Sequence, residues 1–93
     1  MQLKKLTEMA LSGNAGHIDA MMAELHEGQT VLVCKKIDYA LSIVEHREMR
    51  KRIQHYLFNG TDIQRNYSAL YFKRRGNTEI LKLAYRKGCI DEK

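Results

Sequence analysis

The chain reads as an all-α fold of about three stacked helix-turn-helix hairpins, with residues 1–93 forming one helical-repeat domain. Three observations predict this. No proline occurs among 93 residues, so nothing in the chain removes a donor from a helix ladder. Apolar residues recur at helical spacing in five of six segments, and strand-like alternation is scarce outside Thr30 to Cys34. Finally, Gly16 to Gly28 is echoed by Gly76 to Gly88, each pair of glycines lying 12 residues apart around an apolar middle. A blurred third copy ends at Asn59-Gly60, which puts glycines able to close helices at 28, 60 and 88. A glycine just past a helix end can turn left-handed without a Cβ clash, so these positions are expected to reverse the chain.

The first helix is expected from about Gln2 to Leu11, with Leu3, Leu6 and Ala10 on one stripe and Met9 beside it. Ser12 to Gly16 is a polar turn, after which Ile18, Met21, Met22 and Leu25 follow at helical spacing up to Gly28. Thr30 suits the N-cap of a longer helix to about Glu45, because its hydroxyl can accept from an unpaired backbone amide. The run Val31 to Cys34 is apolar throughout, which fits a turn buried on all sides or a strand; helix is chosen because Ile37, Ala40, Leu41 and Val44 continue the stripe. A corner at His46-Arg47-Glu48 separates it from Met49, Ile53, Tyr56 and Leu57. Asp62 or Thr61 can cap a fifth helix, with Ile63, Tyr67, Leu70 and Tyr71 on one face and Ala69 and Phe72 on another. Asn77 or Thr78 opens the last helix, which carries Ile80, Leu81, Leu83 and Ala84, and Cys89 to Lys93 follows as a polar tail.

Sixteen basic against eleven acidic residues give a net charge of +5, which invites an acidic partner or nucleic acid. Two basic clusters could neutralise phosphates: Arg47, Arg50, Lys51 and Arg52, then Lys73, Arg74 and Arg75. A DNA-reading helix needs exposed side chains for base edges, however, and the last helix has Ile80, Leu81, Leu83 and Ala84 competing for burial, so a solvated face is preferred. The four histidines share no i, i+3 or i+4 spacing, and Cys34 and Cys89 form no C-x-x-C, so neither a metal site nor a cofactor is expected. No phosphate-binding loop, nucleophile elbow or paired-carboxylate pattern points to an enzyme. Two separated cysteines, no signal peptide and no 18-residue apolar run suggest a cytoplasmic chain with no membrane span.

Methionine and tyrosine give the sharper indication. Met9, Met21, Met22, Met49, Tyr39, Tyr56, Tyr67, Tyr71 and Tyr85 exceed what short hairpins need as core, and flexible thioethers suit a groove that accepts another helix. Leu3, Leu6 and Ala10, with Met9 beside them, stand at an end of the stack that no earlier hairpin covers, so a partner contact is expected there too.

Ala10-Leu11-Ser12-Gly13, followed by His17 and an amphipathic helix, resembles the start of the tetratricopeptide-like chaperones that hold the needle subunit of bacterial type III secretion systems. That resemblance covers about the first quarter of the chain and implies a heterocomplex: a small helical co-chaperone on the first helix, through Leu3, Leu6, Met9 and Ala10, and a self-assembling needle subunit in the concave groove. The first helices of such stacks line the groove, which assigns Tyr39, Tyr67 and Tyr71 to it. Ala69-Leu70, Arg75 to Leu83 and Lys87 to Asp91 are similar instead to ankyrin repeats, as is Gly16 to Asp19, although the Thr-Pro-Leu-His signature is missing. The tetratricopeptide-like reading is preferred because the middle segment offers long paired helices without β-turn fingers, and both readings imply a protein-binding module.

Overall fold

A computed structural model describes residues 2–91, which form six helices and no strand: α1 (Leu3–Ala10), α2 (Ala15–Ala23), α3 (Val31–Ser42), α4 (Arg47–Asn59), α5 (Asp62–Arg74) and α6 (Thr78–Arg86). They pair as successive hairpins. The first helices end at Ala10, Ser42 and Arg74, 32 residues apart each time. Within the stack α1, α3 and α5 lie side by side as one row, α2 and α4 form a second, and α5 packs against both α3 and α4 before α6 closes on it. All six helices contribute to one core, from Leu6 and Met9 through Ile18, Met21, Met22, Ile37, Leu41, Met49, Ile53, Leu57, Tyr71 and Phe72 to Ala84. Each such large side chain contributes about 1.5–3 kcal/mol by leaving water.

The helix starts follow local chemistry. Thr30 accepts from the Val33 amide at 3.2 Å, as its hydroxyl predicts. Of the two candidates before α5, Thr61 is the cap, and it forms a reciprocal box with Gln64: the Gln64 amide donates to the Thr61 hydroxyl, and the Thr61 amide donates to Gln64 Oε1 at 2.9 Å. The other end of the Gln64 side chain donates to the Met22 carbonyl at 2.9 Å, so one residue caps α5 and ties it to the end of α2.

Of the glycines expected to close helices, Gly88 does so with a left-handed backbone just past α6, and Gly28 and Gly60 do not. Left-handed backbone also occurs at Gly13 and Gly76. Gly76 lies just past α5: its amide donates to the Lys73 carbonyl and that of Asn77 to Phe72, which satisfies carbonyls at the helix end. Gly60 is needed for space instead, because a Cβ there would stand 2.7 Å from the Tyr56 carbonyl oxygen. Gly16 sits inside α2, its amide held by Asn14 Oδ1 at 2.8 Å. The structural echo is thus Gly13-Asn14 with Gly76-Asn77, each joining a first helix to a second.

Other boundaries also shift. α2 stops at Ala23 and leaves Leu25 buried in the following loop, α3 stops at Ser42 with Val44 buried beyond it, and α4 already begins at Arg47. Val31 and Leu32 are neither strand nor buried turn: they are exposed on the first turn of α3. Cys89 and Ile90, expected in a polar tail, pack back on the core, while Glu92 and Lys93 lie outside the described residues.

Polar contacts also join neighbouring helices within each row. On the outer row, Asp19 Oδ1 accepts from Arg52 Nε at 2.7 Å and from the Tyr56 hydroxyl at 2.6 Å, linking α2 to α4. Burial pushes the Asp19 carboxyl up, but these two donors and the Arg52 charge outweigh it and hold it below the ordinary carboxylate range. Under α5, the Tyr71 hydroxyl donates to the Val44 carbonyl at 2.7 Å, and Arg75 Nη2 donates to the same oxygen at 2.7 Å and to the Ser42 carbonyl at 2.9 Å. The Arg75 guanidinium lies 4.5 Å from the Tyr71 ring centroid, stacked over it.

Two outcomes test this description. Gly76→Ala should cost about 1–2 kcal/mol in denaturant unfolding, and Gly76→Asn less, because asparagine tolerates the left-handed region. Gly60→Asn should show no such relief, since its problem is space; equal costs for asparagine at both positions would contradict the assignment. For Asp19, a depressed folded-state pKa means that its contribution is present above the unfolded value of 3.8 and fades as pH falls through the lower folded value. Asp19→Asn should therefore be less stable than the parent near neutral pH and converge with it in acid, and a gap that persists below pH ~2 would contradict the ion pair.

Candidate protein-binding surface

The first-helix row presents its outward side chains in three stripes, and the middle one is the most apolar. On α3, Val31, Leu32, Lys35 and Tyr39 recur at helical spacing opposite the buried Ile37, Ala40 and Leu41. Val31 is 71 % exposed, Leu32 63 % and Tyr39 52 %. α1 on one side offers exposed Leu3, Lys4, Lys5 and Leu11, and α5 on the other offers Asn66, Leu70 and Lys73. The row therefore carries aliphatic and aromatic side chains set among lysines, with the apolar part in the centre.

The structure divides the expected groove tyrosines. Tyr39 is at the surface of the row. Tyr67 is half-buried, and burial, with the Cys34 thiol and the Asp38 carboxylate nearby, pushes its hydroxyl pKa up. Tyr71 is only 1 % exposed and spends its hydroxyl on Val44, so it is a core residue and no partner can reach it in this fold. The N-terminal set divides likewise. Leu6, Met9 and Ala10 are buried within the chain's own core, where α1 meets α2 and α3, and Leu3 alone of the four is exposed. The stripe expected to meet a co-chaperone is thus turned inward, because α3 lies against it. Met21, Met22 and Met49 are fully buried too, so these methionines fill the core. Val31, Leu32 and Leu11 are the surface residues that periodicity missed; for Val31 and Leu32 the unbroken apolar run was the only signal.

The basic clusters are largely committed to the fold. Arg74 grips Asp38 through both nitrogens, at 2.9 and 2.8 Å, and Arg75 pairs with Glu45 at 2.8 Å besides holding the α3 carbonyls. Arg50 donates to the Glu45 carbonyl, Arg52 to Asp19, and Lys51 lies 3.4 Å from Glu48. Arg47, Arg50 and Lys73 remain without an ion pair among the described residues. What was expected as a candidate phosphate-binding face is in good part the cement between hairpins.

One pair resembles hydrolytic chemistry. Ser12 Oγ lies 2.7 Å from His17 Nδ1. Yet the hydroxyl carries a single hydrogen and stands 2.7 Å from the Met9 carbonyl, while the Asn14 amide donates to it at 3.1 Å. With its hydrogen on the carbonyl, Ser12 accepts from His17, the reverse of what a general base requires. The pair instead ends α1 and starts α2. Among the described residues no three histidine, cysteine or acidic side chains gather as a metal site, and no helix is long and apolar enough to cross a membrane.

Charge reversal separates these roles. Arg75→Glu should lower stability by about 1–3 kcal/mol in urea unfolding, since it removes donors from buried carbonyls and sets two carboxylates together. Lys73→Glu should leave the unfolding midpoint unchanged. An Arg75→Glu variant as stable as the parent would contradict the structural role.

Comparison with known proteins finds no match to this chain among family models, characterised proteins or solved structures.

Proposed function

We propose that the chain is a protein-binding helical-repeat module whose contact surface is the first-helix row, centred on the outward stripe of α3. The observation that carries this reading is that Val31, Leu32 and Tyr39 are exposed together on the middle helix of three, opposite its buried Ile37, Ala40 and Leu41. An isolated exposed leucine needs no explanation, but adjacent apolar side chains with an aromatic residue two turns on suit a partner. An amphipathic helix laid along the row would cover them, and Lys4, Lys5 and Lys35 on the same row favour acidic flanks on that helix.

In its specific form the reading makes the chain a cytoplasmic chaperone that holds a type III secretion needle subunit together with a small helical co-chaperone. Support for that form is the resemblance of Ala10-Leu11-Ser12-Gly13 and His17. On α1, a co-chaperone would have Leu3 and Leu11 to contact. An ankyrin-like interaction domain would use the same row, so the surface does not depend on which repeat family is meant. Nucleic-acid binding is not favoured, because Arg50, Arg52, Arg74 and Arg75 already serve the fold.

Leu32→Asp and Tyr39→Ala should preserve helical circular dichroism and the unfolding midpoint while weakening capture of the partner; a well-buried aromatic contact is worth about 2 kcal/mol, roughly thirtyfold in affinity. For the needle-subunit form, light scattering of a needle subunit mixed with the chain gives the measurement: the parent should suppress polymerisation and both variants should lose suppression. A parent that leaves polymerisation untouched would overturn that form, and variants that hold the subunit as tightly as the parent would overturn the α3 surface.

A further inference from the structure

The open side of the last hairpin forms a second surface, which shares only its α5 edge with the first-helix row and none of the α3 stripe. Ala69 and Leu70 on α5, Leu81 and Tyr85 on α6, and Ile90 beyond it line a groove of about 720 Å³. Tyr85 is 46 % exposed there, whereas Phe72 and Ala84 on the inner sides of the same helices are buried. The preceding hairpin shows what such a face receives: α5 lies across α3 and α4 and covers them. A helix placed on α5 and α6 in the same way would continue the stack.

We infer that this groove takes an amphipathic helix whose apolar stripe carries acidic residues on both shoulders, supplied by a partner protein. The charge arrangement decides the occupant. Lys73 of α5 and Lys82 of α6 both line the groove, so each of the two helices brings a cation to a mostly apolar surface. Lys73 has no ion pair among the described residues, and Lys82 has only an exposed approach to Glu79 at 3.9 Å. Among the lining residues, two copies of this chain set groove to groove would bring four lysines against two Asp91 carboxylates, a net positive contact that disfavours self-pairing. A helix with glutamates on its shoulders meets both lysines while its leucines fill the floor.

The test uses fluorescence anisotropy with two labelled helical peptides that share one leucine stripe, the first bearing glutamate shoulders and the second lysine shoulders. The glutamate peptide should bind the intact chain and the lysine peptide should not. Tyr85→Glu should weaken binding by about tenfold or more. The double reversal of Lys73→Glu and Lys82→Glu should exchange the preference, and Leu32→Asp should leave it unchanged. That last control keeps this groove distinct from the α3 surface, so either can fail alone. Equal binding of both peptides, no binding of either, or Tyr85→Glu binding like the parent would overturn the proposal. So would sedimentation showing a dimer that Tyr85→Glu dissociates, since a second copy would then be the occupant.

Discussion

A helix leaves carbonyl groups at its C-terminus that its own ladder cannot satisfy, and here the end of α3 runs into a fully buried residue, Val44. Its oxygen receives the Tyr71 hydroxyl and the Arg75 guanidinium together, and Arg75 also reaches Ser42 and Glu45. A hydrogen bond adds about 0.5–1.5 kcal/mol net, but a buried carbonyl left unpaired costs about 1–3 kcal/mol, so the arrangement matters more for what it prevents than for what it adds. Tyr71 in the last turn of α5 and Arg75 at its C-cap are four residues apart, which lets one end of that helix dock the third hairpin onto the second. The ring stacked beneath the guanidinium keeps the charge over apolar surface, and its counter-ion, Glu45, stands at the exposed edge.

That docking sets the functional geometry. With α5 fixed against α3 on one side and α1 packed on the other, α3 has one free face, and Val31, Leu32 and Tyr39 are on it. The Arg74–Asp38 pair lies at the α3–α5 seam. Positive charge is therefore used in two ways: arginines join the hairpins, and lysines remain around the outward surfaces. The chemistry fits the division, because a planar guanidinium satisfies several acceptors at once whereas a lysine stays hydrated on a flexible stem.

Much of the fold was legible in the chain, and the reasons are local. Thr30 and Thr61 announce helix starts through their hydroxyls, and Ile37-Ala40-Leu41 and Met49-Ile53-Leu57 are buried where helical spacing puts them. The glycines were harder to read because one residue type does three jobs: Gly76 supplies a left-handed turn, Gly60 makes room for a carbonyl, and Gly16 lies within a helix. The candidate site was less legible still. Tyr39 and Tyr71 are both tyrosines on first helices, and what separates them is the neighbour that arrives in three dimensions: the end of α3 over Tyr71, nothing over Tyr39. Leu6, Met9 and Ala10 were lost from the candidate surface for the same reason, since α3 covers them. Periodicity identifies a helix's apolar stripe without saying which helix will meet it.

The shared Val44 oxygen gives the most direct measurement, a double-mutant cycle of Tyr71→Phe and Arg75→Met followed by urea unfolding. Either change alone leaves the carbonyl one donor, whereas both together leave it buried with none. The account predicts that the double variant loses more stability than the two single losses combined, by about 0.5–3 kcal/mol, the range seen for residues that share a partner. Losses that simply add would contradict it, and would mean that α5 is held to α3 by apolar packing without this carbonyl.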